Sequence, residues 1–213
     1  MKTVVGFLSR SHGFNVLQYL IGSQEYKLIK LYTHSLNPKS QDPQRQKRTD
    51  FELFENMCKK NKIPMDVIDN KNDIIDVPDC DFIVEVSWRY LIAETITKKA
   101  KIGSFGIHRG KLPDYGGAEP IKQALLKGDK EIILSAHTLE CVIDSGSTIT
   151  SIVHPVNYDS NLSLEYNVQK IRDDITPLFL IIADKTFKIL EKTNSKLSSL
   201  FVNKIFSYFF THP

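Results

Sequence analysis

The residues best suited to chemistry lie between Phe105 and Ile149, in FGIHRGKLPDYGGAEPIKQALLKGDKEIILSAHTLECVIDSGSTI. His108 precedes Leu112-Pro113 and a Tyr115-x-Gly117. A helical stretch intervenes, and His137 and Asp144-Ser145-Gly146 follow. An imidazole titrates near neutral pH, so His108 can take a proton from one atom, return it to another, or donate to an oxygen that gains charge. A carboxylate brought against it, here Asp144, holds the ring, favours its charged form and joins a proton relay. Fixed amide or N–H donors are the third component that such chemistry needs. His108 and Asp144 are far apart in sequence, so only the fold can bring them together. Taken alone, His108 reads more simply as a hydrogen-bonded loop histidine. His12, His34, His154 and His212 have no comparable context and read as surface or loop residues.

The elements that must position this segment alternate between strand and helix. Thr3–Leu8 is a short apolar run ending in a polar turn, Ser9–Gly13, and Phe14–Ile21 has helical spacing. Tyr26–Thr33 reads as a strand, His34–Arg48 as a loop, Thr49–Lys60 as an amphipathic helix and Asp66–Ile68 as a short strand. Asp81–Val86 is a further strand, and Trp88–Ile92 is a loop entering a helix. Ile102–Ile107 is a strand, and Pro120–Leu126 is a helix stopped by Lys127-Gly128. Glu131–Leu139 and Thr148–Val153 are strands, the first alternating in a way that suits an outer or antiparallel position. Leu162–Asp184 is helical, with a kink or break at Thr176-Pro177. This alternation predicts an α/β fold around a mostly parallel sheet. Ligands of such sheets bind beyond the C-terminal strand ends where strand order reverses, and His108 falls just past one such end.

Composition narrows the classes. The chain has 213 residues and a net charge of +3 with both signs interspersed. This suits one large domain, or a domain with a short appendage, and argues against nucleic acid as a partner. No stretch approaches the ~18–20 apolar residues of a membrane span, and the N-terminus reads as a first strand rather than a leader. Cys58, Cys80 and Cys141 are scattered without a CxxC, which predicts neither disulfides nor a metal site and suggests a reducing, cytoplasmic setting. In the Phe-rich tail, Leu197, Phe201, Ile205, Tyr208 and Phe209 share a helical face. That face suits packing on the chain's own body, a homodimer contact or a peripheral membrane contact.

The order His108, Leu112-Pro113, Tyr115, Gly117, His137, Asp144-Ser-Gly146 resembles the catalytic segment of the folate-dependent formyltransferases. The likeness is close over residues 80–150 and looser over 1–185. It implies a Rossmann-like three-layer fold over 1–185, with 186–213 as an apolar C-terminal appendage for packing or dimerisation. It also implies 10-formyltetrahydrofolate as co-substrate and a small-molecule amine as acceptor. His108, Asp144 and position 106 would form the catalytic set. The family carries Asn at that last position and this chain carries Gly106. Gly110 and Gly116 likewise replace a Ser and an Arg. The resemblance places the folate against Trp88, Arg89, Tyr90, Leu91 and Ile92, and against Leu139, Glu140, Cys141 and Val142. The same residues also read as a hydrophobic loop anchoring its own helix. Ser9, Arg10 and Gly13, with Lys111, Tyr115 and Gly117, are the residues the resemblance offers to the acceptor, although Ser9–Gly13 reads equally as a plain turn. Trp-Arg-Tyr and His-Arg-Gly-Lys-Leu-Pro point to sugar N-formyltransferases acting on nucleotide-linked aminosugars. Size points to glycinamide ribonucleotide formyltransferase, and the loss of Asn at position 106 to a non-catalytic relative. Length and the absence of a basic patch count against a tRNA acceptor.

Overall fold

The structure, a computed structural model, describes the chain through Thr211, with side chains through Lys196. In chain order it contains β1 (Lys2–Leu8), α1 (Arg10–Gly22), β2 (Tyr26–Thr33), α2 (Phe51–Asn61), β3 (Met65–Val67), β4 (Cys80–Val86) and α3 (Glu94–Thr97). These are followed by β5 (Ala100–His108), α4 (Pro120–Lys127), β6 (Glu131–Thr138), β7 (Thr148–Pro155), α5 (Leu164–Ile175) and α6 (Leu178–Thr211). The strands form one seven-stranded sheet in the order β3-β2-β1-β4-β5-β6-β7. Pairing is parallel from β3 to β5 and antiparallel at β5·β6 and β6·β7.

Burial explains why these segments are strands. Val4, Val5, Phe7 and Leu8 of β1 are all fully buried, as a central parallel strand covered on both faces must be. In β7 exposed and covered residues nearly alternate, which suits an edge strand with one wet face. One face of the sheet carries the larger core, where Leu17 and Leu20 of α1, Phe54 of α2, Ile171 of α5 and Phe179 and Phe187 of α6 pack on Val4, Phe82, Val84 and Phe105. The other face is covered more thinly. Val5, Phe7, Tyr32 and Ile83 meet Ile68, Val77 and Ile92, with Trp88 and Tyr90 closing the edge.

Strand order reverses between β1 and β4. From β1 the chain moves outward to β2 and β3, then crosses back to place β4 on β1's other side. The C-terminal ends of these two strands are tied by the Ser9 N–H, which donates to the Val86 carbonyl at 3.0 Å. Arg10 and Ser87, each just past a strand end, have φ of 63° and 57° and turn the chain sharply away from the sheet edge.

Two expectations need correction. The turn expected over Ser9–Gly13 is largely the first turn of α1, which starts at Arg10 directly after the strand. A Cβ on Gly13 would meet the Leu8 backbone at 3.1 Å, so glycine lets the helix lie close against the strand end. His12 and His34, expected at the surface or in loops, are both buried. His12 packs on Phe179 and His34 stacks on Trp88. The break expected at Thr176-Pro177 is present between α5 and α6. The point between residues 185 and 186 lies within α6, and Phe187 just beyond it is fully buried. The apolar face of Leu197, Phe201, Ile205, Tyr208 and Phe209, with the contact expected of it, lies outside the described side chains.

Phe187 touches Tyr26, Phe82 and Phe105 with ring centroids 4.5, 4.9 and 5.0 Å away, so it fastens α6 to three strands. Phe187→Ala should cost about 3–5 kcal/mol, read as a lower denaturation midpoint in urea.

Candidate active site

The period of two along β5 sends Gly106 and His108 out of the same face at its C-terminal end. The antiparallel return of β6 sets His137 opposite Gly106 and Ser135 opposite His108. The loop after β6 then folds back. Asp144 adopts a left-handed φ of 55°, and Gly146 lies so close to the Thr138 carbonyl that a Cβ there would overlap it. Asp144 is thereby delivered to His108, with Oδ2 3.4 Å from Nδ1. The same Oδ2 accepts the Gly117 N–H at 2.8 Å, and Oδ1 lies 3.7 Å from His137 Nε2. On the far side of the ring, His108 Nε2 is 2.7 Å from the Tyr115 carbonyl. The departure at Gly110 has a steric reason, because a Cβ there would lie 2.7 Å from that Tyr115 carbonyl and 2.8 Å from Pro120 Cβ.

Burial lowers the His108 pKa, and the nearby Asp144 only partly opposes this. The ring is therefore neutral at neutral pH and able to accept a proton. Both of its nitrogens face oxygen acceptors, while a neutral imidazole has one N–H to offer. A proton gained would complete the second hydrogen bond, which together with Asp144 offsets part of the penalty that burial places on the imidazolium.

A further acid stands here that sequence reasoning missed. Glu85, in β4, is the registered neighbour of Gly106. Its Oε1 accepts the Trp88 N–H at 2.7 Å, and its Oε2 lies 2.7 Å from where a Cβ on Gly106 would sit. Burial of the carboxyl, reinforced by Asp144, pushes its pKa up to about 8. The available signal was an acid interrupting the apolar stretch Phe82–Val86, a place where a charge is costly.

Beside this cluster lies a pocket of about 400 Å³. Of the residues the resemblance gave to the folate, Trp88, Arg89, Tyr90, Leu91, Ile92, Leu139, Glu140 and Val142 line it. Cys141 is exposed and does not. Trp88 is partly core, stacked 4.1 Å from His34 and edge-on to Phe7 at 5.0 Å. Arg89 donates to the Leu36 carbonyl, and Tyr90 to the Asp69 carbonyl at 2.7 Å, which holds the loop in place. At the mouth, Leu91, Val142 and Ile143 remain exposed.

A second pocket, about 310 Å³, adjoins the first and shares Ser87, Trp88, Arg89 and Arg109 with it. It gathers four guanidinium groups from distant parts of the chain: Arg10, Arg89, Arg109 and Arg172. Among the described residues, Arg10, Arg109 and Arg172 form no ion pair, and Arg172 Nε is buried without a partner. Burial, with repulsion from neighbouring arginines, lowers the pKa values of Arg10 and Arg109, the latter to about 10. Such a cluster calls for an anion. Of the residues expected to meet the acceptor, Arg10 lines this pocket and Gly117 the first. Ser9 and Gly13 are buried behind it, Ser9 accepting from Arg48. Lys111 pairs with Asp114 at 2.8 Å. The Tyr115 hydroxyl is turned to Asp129, so only its carbonyl serves His108.

This fold has known counterparts. The family model described as formyl transferase matches residues 10–178, and the chain belongs to that family. The chain is similar to the methionyl-tRNA formyltransferase of Finegoldia magna, 32% identical over 133 residues, covering 59% of this chain and 42% of that protein. It thus spans less than half the length of that curated relative. A solved structure of glycinamide ribonucleotide transformylase 1 from Symbiobacterium toebii superposes with a TM-score of 0.63 at 16% identity, covering 87% of this chain and 85% of that one. The sugar 3N-formyl transferase WlaRD, solved with dTDP and 5-N-formyl-THF, superposes with a TM-score of 0.55 at 18% identity, covering 90% and 64% respectively. The two structural likenesses show a shared fold.

The raised Glu85 pKa has a measurable consequence. The group ordinarily titrates at 4.5 and here at about 8, so folding favours its protonated form. That contribution is fully present below pH about 4.5 and is lost as pH rises to about 8. Glu85→Gln removes the titration. Wild type should therefore lose stability relative to this variant across that window, measured as the difference in Tm at each pH.

Proposed function

We propose that this chain transfers the formyl group of 10-formyltetrahydrofolate to a primary amine on a phosphate-bearing small molecule, with a nucleotide-linked aminosugar as the first candidate. The observation that carries this reading is the His108–Asp144 pair in the wall of a pocket with apolar residues, which adjoins through Arg89 and Arg109 a second pocket with four arginines. The first pocket fits the donor. Its volume lies within the usual ~300–1,000 Å³ of small-molecule sites, and exposed Leu91, Val142 and Ile143 offer apolar surface to a flat ring. The donor supplies an activated formyl group.

The chain's own residues supply the rest. Neutral His108 takes the proton that the attacking amine nitrogen must lose and returns it to the nitrogen that leaves, so the proton balance closes within the site. Asp144 steadies the imidazolium between these steps, and the Gly117 N–H and the left-handed turn keep its carboxylate in place. Arg10, Arg109 and Arg172 hold the acceptor's phosphate and so fix the distance from its anion to its amine. The same cluster suits glycinamide ribonucleotide, a smaller phosphate-bearing amine, which therefore belongs in the acceptor panel.

Formation of tetrahydrofolate from 10-formyltetrahydrofolate, with nucleotide-linked aminosugars and glycinamide ribonucleotide as acceptors, tests the reading. Wild type should turn over at least one of them. His108→Ala and Asp144→Asn should each lower kcat by about 10²–10⁴ with donor affinity kept. Normal turnover in both variants would contradict the mechanism, and no turnover by folded wild type on any acceptor would favour a non-catalytic relative. Arg109→Ala and Arg172→Ala should each raise the acceptor KM by roughly 10–100-fold through loss of a charged hydrogen bond, leaving donor affinity unchanged. An unchanged acceptor KM in both would remove the anion site.

A further inference from the structure

Gly106 stands where the family carries an amide, and the space that amide would enter is already occupied. A Cβ on Gly106 would lie 2.7 Å from Glu85 Oε2, 3.0 Å from His137 Nε2 and 3.2 Å from Leu139 Cδ2. Glu85 and Gly106 are registered partners on adjacent strands, so the glutamate side chain leaves the sheet on the same face and lines the same pocket as His108 and Asp144. With Oε1 engaged by the Trp88 N–H, Oε2 is the oxygen free to carry a proton.

We propose that the Glu85 carboxyl, reaching across from β4, presents to the formyl oxygen the hydrogen-bond donor that the family's amide presents from position 106. This rests on the formyl-transfer reading above. A long acid on β4 faces glycine on β5 and fills the space that a side chain at position 106 would enter. The surroundings set the protonation state. Asp144 from the loop opposes a second negative charge, while Arg109 beyond β5 and the Trp88 N–H favour one. His108 from β5 is neutral, and His137 from β6 lies against the same space. Burial outweighs the favourable groups and keeps the acid protonated up to pH about 8. A carboxylic acid kept neutral in this way is an effective oxyanion donor. Glu85 keeps its proton throughout. Its O–H···O bond strengthens as charge gathers on the carbonyl oxygen, and His108 alone carries the proton between nitrogens.

The arrangement also makes Gly106→Asn alone a poor restoration, since the new side chain would meet Glu85. The discriminating set is wild type, Glu85→Gln, Glu85→Leu and the double variant Glu85→Leu/Gly106→Asn. Each binds 10-formyl-5,8-dideazafolate labelled with ¹³C at the formyl carbon. The formyl C=O stretch is read by isotope-edited infrared and affinity by Trp88 fluorescence, on both sides of pH about 8. Wild type should show a stretch lowered by hydrogen bonding that relaxes above that pH. Glu85→Gln, which keeps an N–H donor, should show the lowered stretch on both sides, and Glu85→Leu on neither. The double variant should regain it on both. Turnover in Glu85→Leu should fall by about 10²–10³, and by less in Glu85→Gln, whose amide is a weaker donor than the acid. A lowered stretch in Glu85→Leu, or a bound carbonyl in wild type that is unshifted or insensitive to pH, overturns the role of Glu85 while leaving donor binding intact. No binding by wild type overturns the formyl-donor reading itself, and this role with it.

Discussion

The approach of Asp144 to His108 depends on a single topological choice, the antiparallel return of β6 beside β5. A parallel β6 would have needed a crossover after β5 to start at the far edge of the sheet, and its residues would not run back past His108 and Gly106 as Ser135 and His137 do. The antiparallel return instead puts His137 against Gly106 and sends the following loop back over the strand end. The left-handed Asp144 and the close approach of Gly146 to Thr138 then close that loop at the length needed to set carboxylate against imidazole. Tyr115, Gly117 and the packing of α4 hold the opposite wall. These contacts hold the His108 ring between the Asp144 carboxylate and the Tyr115 carbonyl.

Desolvation shapes the electrostatics around that contact in both directions. It lowers His108 and raises Glu85, so an imidazole and a carboxyl are both kept neutral within one site. It also lowers Arg10, Arg89 and Arg109, whose mutual repulsion an anion would relieve. The two pockets therefore differ in kind. His108 and Asp144 stand in the wall of the first, beside its apolar residues, and the second, which adjoins it through Arg89 and Arg109, gathers the guanidinium charge.

Much of this was legible in the residues. The apolar run of β1, the antiparallel character of β6 and the break before Pro177 follow from local pattern, because a buried strand, an alternating strand and a proline each leave a local mark. His108 and Asp144 were legible as a motif, and the walls of the first pocket as the loops that flank it. Glu85 was not, because its partner is set by strand register, which the sequence of Asp81–Val86 does not specify. The arginine cluster was not legible either. Arg10, Arg109 and Arg172 come from the start of α1, the end of β5 and the last turn of α5, and only the strand-order reversal at β1 and β4 brings them together. Ser9–Gly13 looked like a turn because glycine near a strand end usually marks one. Here the glycine admits the helix to the strand.

The most direct test of the central claim is a crystal structure of the chain with 10-formyl-5,8-dideazafolate bound. The account predicts the ring system between Leu91-Ile92 and Leu139-Val142, with the formyl carbon at the mouth of the His108–Asp144 pair. A ligand seated elsewhere, or one that holds its formyl group away from His108, would contradict it.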